Sequence, residues 1–424
     1  MDALRGTSWS RLVVLLGVSI FAAMALLACG DDEGGGDGDG PTTALKIGYL
    51  ADFSGPLAEF GPAIQTGVDL AVKHINDAGG VNGMPIEVVV GDDKTDPTAG
   101  VEEARRLIEV EGVSAIVGPL GSGVTIAVAE SVAADAGVVV ISPSATSPSI
   151  TTADDDGFLF RSTTSDAAQG VVLADVARED GLESVGVMYL NDAYGQGLAD
   201  AFEAAYGSDG VTSASFEDGQ PSYLAELQQA AAGGADTLIA IGYPTQAQVF
   251  IREALENDLF TNFLFVDGTK SIDLVTAIGA EPLEGMKGTA PTGGPASEGR
   301  QAWDAAYSAE VGEIPNLPFI REAYDAVVAI ALAAEYANSH DGAAIRDALA
   351  TVGAPGGDTY LPGAEGVAAA LAAVADGDDI DFDGSATTLN WDDVGDVTTG
   401  FIGIWRYAGG AIEELEEVPF DLSD

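Results

Sequence analysis

From Leu45 onward the chain repeats one pattern: short apolar runs rich in β-branched residues, each followed by a longer amphipathic stretch. The runs lie at 45–50, 86–90, 114–117, 138–141, 185–189, 237–241 and 263–266. Runs this short suit strands buried on both faces, and the stretches between them have the spacing of covering helices. Strand–helix alternation of this kind leads to parallel sheets with helices on both faces. Because the runs split into a group before Phe158 and a group after Thr164, two doubly wound sheets fit better than one very large sheet. The spacing predicts an α/β chain of two doubly wound parallel-sheet lobes.

The first forty residues follow other rules. Arg5 and Arg11 precede an apolar run at 12–27, which ends in Leu26-Leu27-Ala28-Cys29. A short basic segment, an apolar run and a small residue before a cysteine resemble a bacterial lipoprotein signal, cut after Ala28 so that Cys29 carries lipid. The run is marginal for a membrane span. Residues 1–28 are accordingly expected to be a signal peptide. Residues 29–44 are expected to form a lipidated, glycine- and acid-rich tether, since the stretch after Cys29 has nothing apolar to bury. Cys29 is the only cysteine, which excludes an internal disulfide and a multi-cysteine metal site. The formal charge of −52 argues against nucleic acid as a partner, because phosphates are repelled, and is read as a heavily solvated surface.

In open parallel sheets, ligands sit beyond the carboxyl ends of the strands. The loop Gly118-Pro119-Leu120-Gly121-Ser122-Gly123 follows a strand and precedes a helical run, so Ser122 is expected as an N-cap beside free backbone N–H groups suited to a carboxylate. The next strand is followed by Ser142-Pro143-Ser144-Ala145-Thr146-Ser147-Pro148, a second loop of donors at the same edge. In the second half Tyr194, Tyr243 and Asp267 stand at three strand ends. Their rings suit an aliphatic or aromatic group, and the acid suits an ammonium. Donors in one half and an acid with aromatics in the other match a zwitterion. Taken singly, Ser122 equally suits a cap of its own helix, the tyrosines edge packing, and Asp267 the cap of a turn.

Several segments together resemble the leucine, isoleucine and valine binding-protein family: Ile47-Gly48-Tyr49-Leu50 with Phe53-Ser54-Gly55-Pro56, Ile75-Asn76-Asp77-Ala78-Gly79-Gly80, Asp92-Asp93-Lys94-Thr95-Asp96-Pro97, Val117-Gly118-Pro119, the 142–148 loop, and Asp192-Ala193-Tyr194-Gly195. The likeness runs from about Leu45 to the C-terminus and is looser after Gly285. It implies a periplasmic binding protein of type I, with lobes at 45–163 plus 289–390 and 164–288 plus 391–424. Three hinge crossovers would join them, near 161–165, Gly288 and 390–399, and ligand binding would close them for recognition by a membrane permease. By motif position, Ser122 and Thr146 would hold a ligand carboxylate, Ser144 would offer backbone contact to the ammonium, and Ala145 would lie beside it. Tyr194 and Tyr243 would face them from the other lobe. Asp267 stands where the family commonly has a longer acid, and Phe60 is a candidate for the ligand side chain as well as for core packing. The expected function is the ligand-capturing lipoprotein of an ABC importer for an amino acid, exported and anchored at a bacterial membrane. Amides, urea-like molecules and small aromatic acids are alternative ligands, and a receptor subunit is an alternative role.

Rival chemistries find little support. His74 and His340 are the only histidines, and no nucleophile elbow or zinc-protease motif occurs, so no enzyme and no cofactor are expected. Asp379-Ile380-Asp381-Phe382-Asp383-Gly384 opens like a calcium loop, but its twelfth position is Asn390, so it is read as an acidic turn and no metal is expected.

Overall fold

The computed structural model describes residues 40–295 and 297–423. The signal peptide, Cys29 and most of the tether lie outside the described residues.

The first sheet is built from β1 (Leu45–Ala51), β2 (Ile86–Asp92), β3 (Ala115–Val117), β4 (Val139–Ser142) and β5 (Leu159–Arg161), in the order β2-β1-β3-β4-β5 and all parallel. The second uses β6 (Val185–Leu190), β7 (Val211–Phe216), β8 (Thr237–Ile241), β9 (Asn262–Phe265) and β10 (Lys287–Thr292) in the matching order β7-β6-β8-β9-β10. A small parallel ribbon of β11 (Asp358–Tyr360) and β12 (Ile380–Phe382) stands apart. The hairpin β13 (Thr399–Ala408) and β14 (Ala411–Asp421) then extends the second sheet antiparallel to β10. Pairing of β10 with β13 carries that sheet to Thr292, a few residues past the crossover expected near Gly288.

Both sheets reverse their strand order at one point, between β1 and β3 and between β6 and β8. Helices that follow the two flanking strands leave toward opposite faces there, which opens a crevice at the carboxyl ends. The seven runs that the sequence marks as strands all appear within a residue or two. The edge strand β7, reading Val-Thr-Ser-Ala-Ser-Phe, has too weak a pattern to be marked.

After β10 the chain returns to the first sheet through the helix Ile320–Tyr336, whose Ile, Val, Leu and Ala side chains are buried almost all round. It packs against the helix Phe60–Asp77, and Gly67 sets how closely. A Cβ at Gly67 would stand 2.1 Å from the carbonyl oxygen of Ile320, so no other residue fits without moving a backbone. Gly67→Ala is expected to cost about 1–3 kcal/mol by overpacking. Urea unfolding measures it, and a loss under about 0.5 kcal/mol would contradict this account. His74 lies in the same contact, fully buried, with Nδ1 at 2.8 Å from the Tyr324 hydroxyl and Nε2 at 3.0 Å from Glu310. Both ring nitrogens are thus engaged in packing.

Caps fall largely where the sequence places them. Asp96 accepts from the N–H of Ala99, with Pro97 opening the helix, and Ser165 accepts from Ala167. Ser122 differs: the helix Ser122–Val128 is preceded by Gly121 as its N-cap, and Ser122 is its first helical residue. Its Oγ instead accepts from the N–H of Ser147 at 3.2 Å, tying together the two donor loops.

Candidate functional site

The loops beyond the strand ends of both sheets line a partly open cleft whose space between atoms, its mouth included, is about 320 Å³. From the first sheet, the segment after β1 brings Leu57, Phe60 and Ile64, the loop after β3 brings Leu120 and Ser122, and the loop after β4 brings Ser144. From the second, Tyr194 follows β6, Tyr243 follows β8, and Asp267 and Gly268 follow β9. Phe319 closes the ring at the start of the helix Ile320–Tyr336.

The second-sheet side is a fixed polar platform. Tyr194 and Tyr243 stack with centroids 5.4 Å apart and planes 7° from parallel. The Tyr194 hydroxyl donates to Asp267 Oδ1 at 2.8 Å and accepts from the N–H of Gly268 at 3.1 Å. Gln169 Nε2 donates to the same carboxylate oxygen at 2.9 Å. Asp267 is therefore held back at its strand end by two donors. Burial pushes its carboxyl up to about 6 against the pull of those hydrogen bonds. Asp166, the first residue of the helix Asp166–Glu179, is fully buried. Burial and then the charge of Asp267 push it well above the usual carboxylate range, while Thr146 and Arg161 pull the other way. Thr146 Oγ1 donates to Asp166 Oδ2 at 2.9 Å, and Asp166 Oδ1 has no partner. Two interacting acids in low dielectric, one with an orphaned oxygen, form a site that gains from a cation.

The first-sheet side is mixed. Leu57, Phe60, Ile64 and Leu120 make an apolar wall, and Phe60 also belongs to the main core, so packing and cavity lining coincide in it. Ser144 lines the cavity with its hydroxyl donated to the carbonyl of Leu120 at 2.9 Å. Ala145 and Thr146 are placed differently. Ala145 is fully buried in the smaller core cluster and gives its N–H to Ser142 Oγ. Thr146 is not among the lining residues, and its hydroxyl proton goes to Asp166 rather than toward a carboxylate. The 142–148 loop is fastened from behind by Arg161, whose guanidinium donates to the carbonyls of Thr146 at 3.2 Å and Ser147 at 3.0 Å.

Hydrogen bonds also tie the two sides together. Ser147 Oγ donates to the carbonyl of Ala193 at 2.7 Å, and Ser271 Oγ donates to Glu59, whose carboxyl burial raises to about 7. Among the described residues no group of three or more acidic, histidine or cysteine side chains is placed to hold a metal, the 379–384 turn included.

Sequence reasoning passed over Asp166, Gln169 and Phe319. Asp166 was legible only as a helix start, because the partner that gives it a role is 101 positions away. Phe319 has a φ of 77°, a left-handed backbone that a bulky residue adopts only under constraint, and no sequence signal marks it.

Comparison with known proteins bears on this geometry. The profile of the periplasmic binding protein family matches residues 44–379. A Pseudomonas aeruginosa protein named as a leucine-, isoleucine-, valine-, threonine- and alanine-binding protein is 30% identical over 336 residues, covering 78% of this chain and 87% of its own length. The chemotactic signal transduction system substrate-binding protein BasB of Halobacterium salinarum is 28% identical over 396 residues, covering 88% of this chain and 89% of its own. Among solved structures, the branched-chain amino acid transporter substrate binding protein LivJ of Streptococcus pneumoniae, in complex with isoleucine, superposes with a TM-score of 0.72 at 28% identity, covering 89% of this chain and 99% of that one.

Proposed function

The chain belongs to the periplasmic binding protein family, type I, in its leucine, isoleucine and valine-binding group, and from that premise we propose that it captures an aliphatic α-amino acid for an ABC importer. The observation that carries this reading is the buried acid pair. Asp267 and Asp166 act on one another beside the cavity, Asp166 keeps an orphaned oxygen, and an apolar wall stands opposite. A ligand ammonium offsets the acids, and an aliphatic side chain fits against Leu57, Phe60, Ile64, Leu120 and Phe319. Ser122, tied to Ser147 through its acceptor side, has its hydroxyl proton left to give a ligand carboxylate. Ser144, which lines the same cavity with its hydroxyl given to Leu120, is assigned backbone contact to the ligand ammonium. Binding and not catalysis is the work of this family, and the relatives named for leucine, isoleucine and valine support the ligand class.

The two lobes of this binder are assigned to the two sheets, with the crossovers at 161–165, after the end of β10 at Thr292, and at 390–399. Ligand enters when they part and is enclosed when Ser147 meets Ala193 and Ser271 meets Glu59. Calorimetric titration of the full chain tests the reading. L-Leucine, L-isoleucine or L-valine is expected to bind, whereas 4-methylpentanoate, which lacks the ammonium, and 3-methylbutylamine, which lacks the carboxylate, are not. Binding of 4-methylpentanoate or benzoate alone would overturn it.

Export and lipid anchoring through Cys29 complete the proposal. Cys29→Ala is expected to abolish labelling by radioactive palmitate and to move the protein from the membrane fraction to the soluble one; unchanged labelling removes the anchor. A sensing role is the second reading, favoured by the name of the Halobacterium relative. Loss of amino acid uptake on deletion, with taxis intact, separates import from sensing.

A further inference from the structure

A second pair of buried acids lies outside the ligand cavity. Asp52 follows β1 and Asp93 follows β2, and both are fully buried. Each commits one oxygen to the same residue: Thr95 Oγ1 donates to Asp52 Oδ1, and the N–H of Thr95 donates to Asp93 Oδ1 at 2.9 Å. The other oxygen of each, Oδ2, is enclosed without any partner. Thr95 bridges the two side chains, and the N–H of Asp93 donates to the carbonyl of Ala51, next to Asp52, at 3.2 Å, so the two acids are neighbours across β1 and β2. Two adjacent carboxylates in low dielectric cannot both stay charged, whereas one proton between them turns two orphaned atoms into a donor and an acceptor.

The surroundings add charge of the same sign. Asp92 and Asp96 lie on the same turn, Tyr49 faces the pair from β1 and Tyr243 from the second sheet, and Lys94 is exposed. Among the described residues neither acid has a cationic partner, and no metal-binding cluster includes them. Burial, with the neighbouring acids behind it, pushes both carboxyls up.

The turn that carries Asp93 is strained and leans on the cavity wall. Lys94 and Thr95 have φ of 61° and 57°, and a β-branched residue in that left-handed region is held there only by its bonds. The N–H of Leu57 donates to Thr95 Oγ1 at 3.3 Å, and those of Phe53 and Ser54 donate to Asp92 Oδ1 at 3.0 and 3.2 Å. At Gly55 a Cβ would stand 2.3 Å from the carbonyl oxygen of Lys94, so the two turns touch backbone to backbone.

We propose that Asp52 and Asp93 share one proton through their Oδ2 atoms, and that this bridge fastens the cavity-lining segment around Leu57 and Phe60 to the strained turn at 92–96. They are positioning residues: Leu57 and Phe60 line the cavity, and the bridge holds that wall in place. When the proton leaves on the alkaline side, two buried charges repel and the wall loosens. The bridge belongs to the fold of the wall and stands whichever ligand the cavity takes.

The sign of the linkage sets the test. With both carboxyls raised, the folded chain holds a proton that the unfolded chain has lost, so stability falls as pH rises from about 4 toward the titration of the pair. Asparagine at either position supplies a fixed N–H in place of that proton. Urea unfolding of the full chain between pH 5 and 9 is expected to find Asp52→Asn and Asp93→Asn at least as stable as the parent at pH 8. Across the interval where the bridge is protonated, the unfolding constant of each is expected to change about tenfold less per pH unit, the share of one proton. The double variant is expected to be less stable than either, because two amide NH2 groups then face each other with both Oδ1 atoms already engaged. Single variants less stable at every pH, with the slope unchanged, overturn the proposal. If parent stability also shifts when sodium is exchanged for a bulky organic cation at constant ionic strength, a bound cation replaces the proton. The parent chain gives an independent reading: an Asp52 or Asp93 13Cγ resonance at the protonated position at pH 7 supports the bridge, and two carboxylate resonances exclude it.

Discussion

Asp267→Asn is expected to abolish amino acid binding while making the ligand-free chain more stable at neutral pH. The two effects have one origin. Burial raises the Asp267 carboxyl to about 6, so at pH 7 the folded chain keeps a charge where water cannot reach it. Against an unfolded value near 3.9, that penalty is on the order of 2–3 kcal/mol. It develops as pH rises from about 4 to 6 and is complete above that, because the folded state there no longer holds the extra proton. Asparagine keeps the oxygen that accepts from Tyr194 and Gln169 and removes the charge. The same charge is what an ammonium needs. Truncating one partner of a buried, hydrogen-bonded charge pair costs about 2–5 kcal/mol, or roughly thirtyfold or more in Kd. Calorimetry with L-leucine measures the binding arm and urea unfolding at pH 5 and pH 8 the stability arm. Retained affinity would falsify the assignment of Asp267 to the ammonium, and lost affinity with lost stability would mark a residue needed only for folding.

The largest stability loss is expected at Arg161. Its guanidinium is fully buried and donates to Asp396 Oδ2 at 2.6 Å, to Thr151 Oγ1 at 3.0 Å, and to two carbonyls of the 142–148 loop. Its own backbone carbonyl accepts from Trp391 Nε1 at 2.8 Å, and its N–H donates to Gly395 at 3.0 Å. One residue thus joins the end of the first sheet, the donor loop at the cavity and the last crossover. Arg161→Met fills much of the volume but leaves Asp396 buried, with Oδ1 already lacking a partner. Removing one member of a buried ion pair costs about 3–5 kcal/mol, since the charge left behind is uncompensated. Urea unfolding of the full chain at pH 7 measures it. Adding Asp396→Leu to Arg161→Met is expected to restore part of the loss, the signature of coupling between the two. A loss below about 1 kcal/mol for the single variant would show that the pair carries little.

The cavity also shows how far local sequence reaches. Tyr194, Tyr243 and Asp267 were found because each directly follows a strand that its own β-branched run announces, and the strand order then delivers all three to one edge. Ser122 and the 142–148 loop were found by the same rule, and Ser144, Ala145 and Thr146 were singled out within that loop by motif position. Alternation along the loop does not say which groups turn inward, and packing sent Ala145 to a core cluster and the Thr146 hydroxyl to Asp166.

Sequence by itself determined the seven strands that its apolar runs mark, most of the caps it marked, the two-lobed α/β plan and the loops at which a ligand can sit, but not the edge strands β5 and β7 or the strands from β10 onward. The features it determined depend on residues within a few positions of one another, where periodicity, caps and turn chemistry act. Tertiary structure alone decided which buried acids face each other and which oxygen each leaves unpaired. Asp166 meets Asp267, Asp52 meets Asp93, and Arg161 meets Asp396 across separations that no local pattern encodes. The physical reason is that desolvation and charge–charge repulsion act through distance in space. A carboxylate that is an ordinary helix-start or turn acid in sequence becomes a cation site or a proton bridge only when folding withdraws water and brings its counterpart alongside.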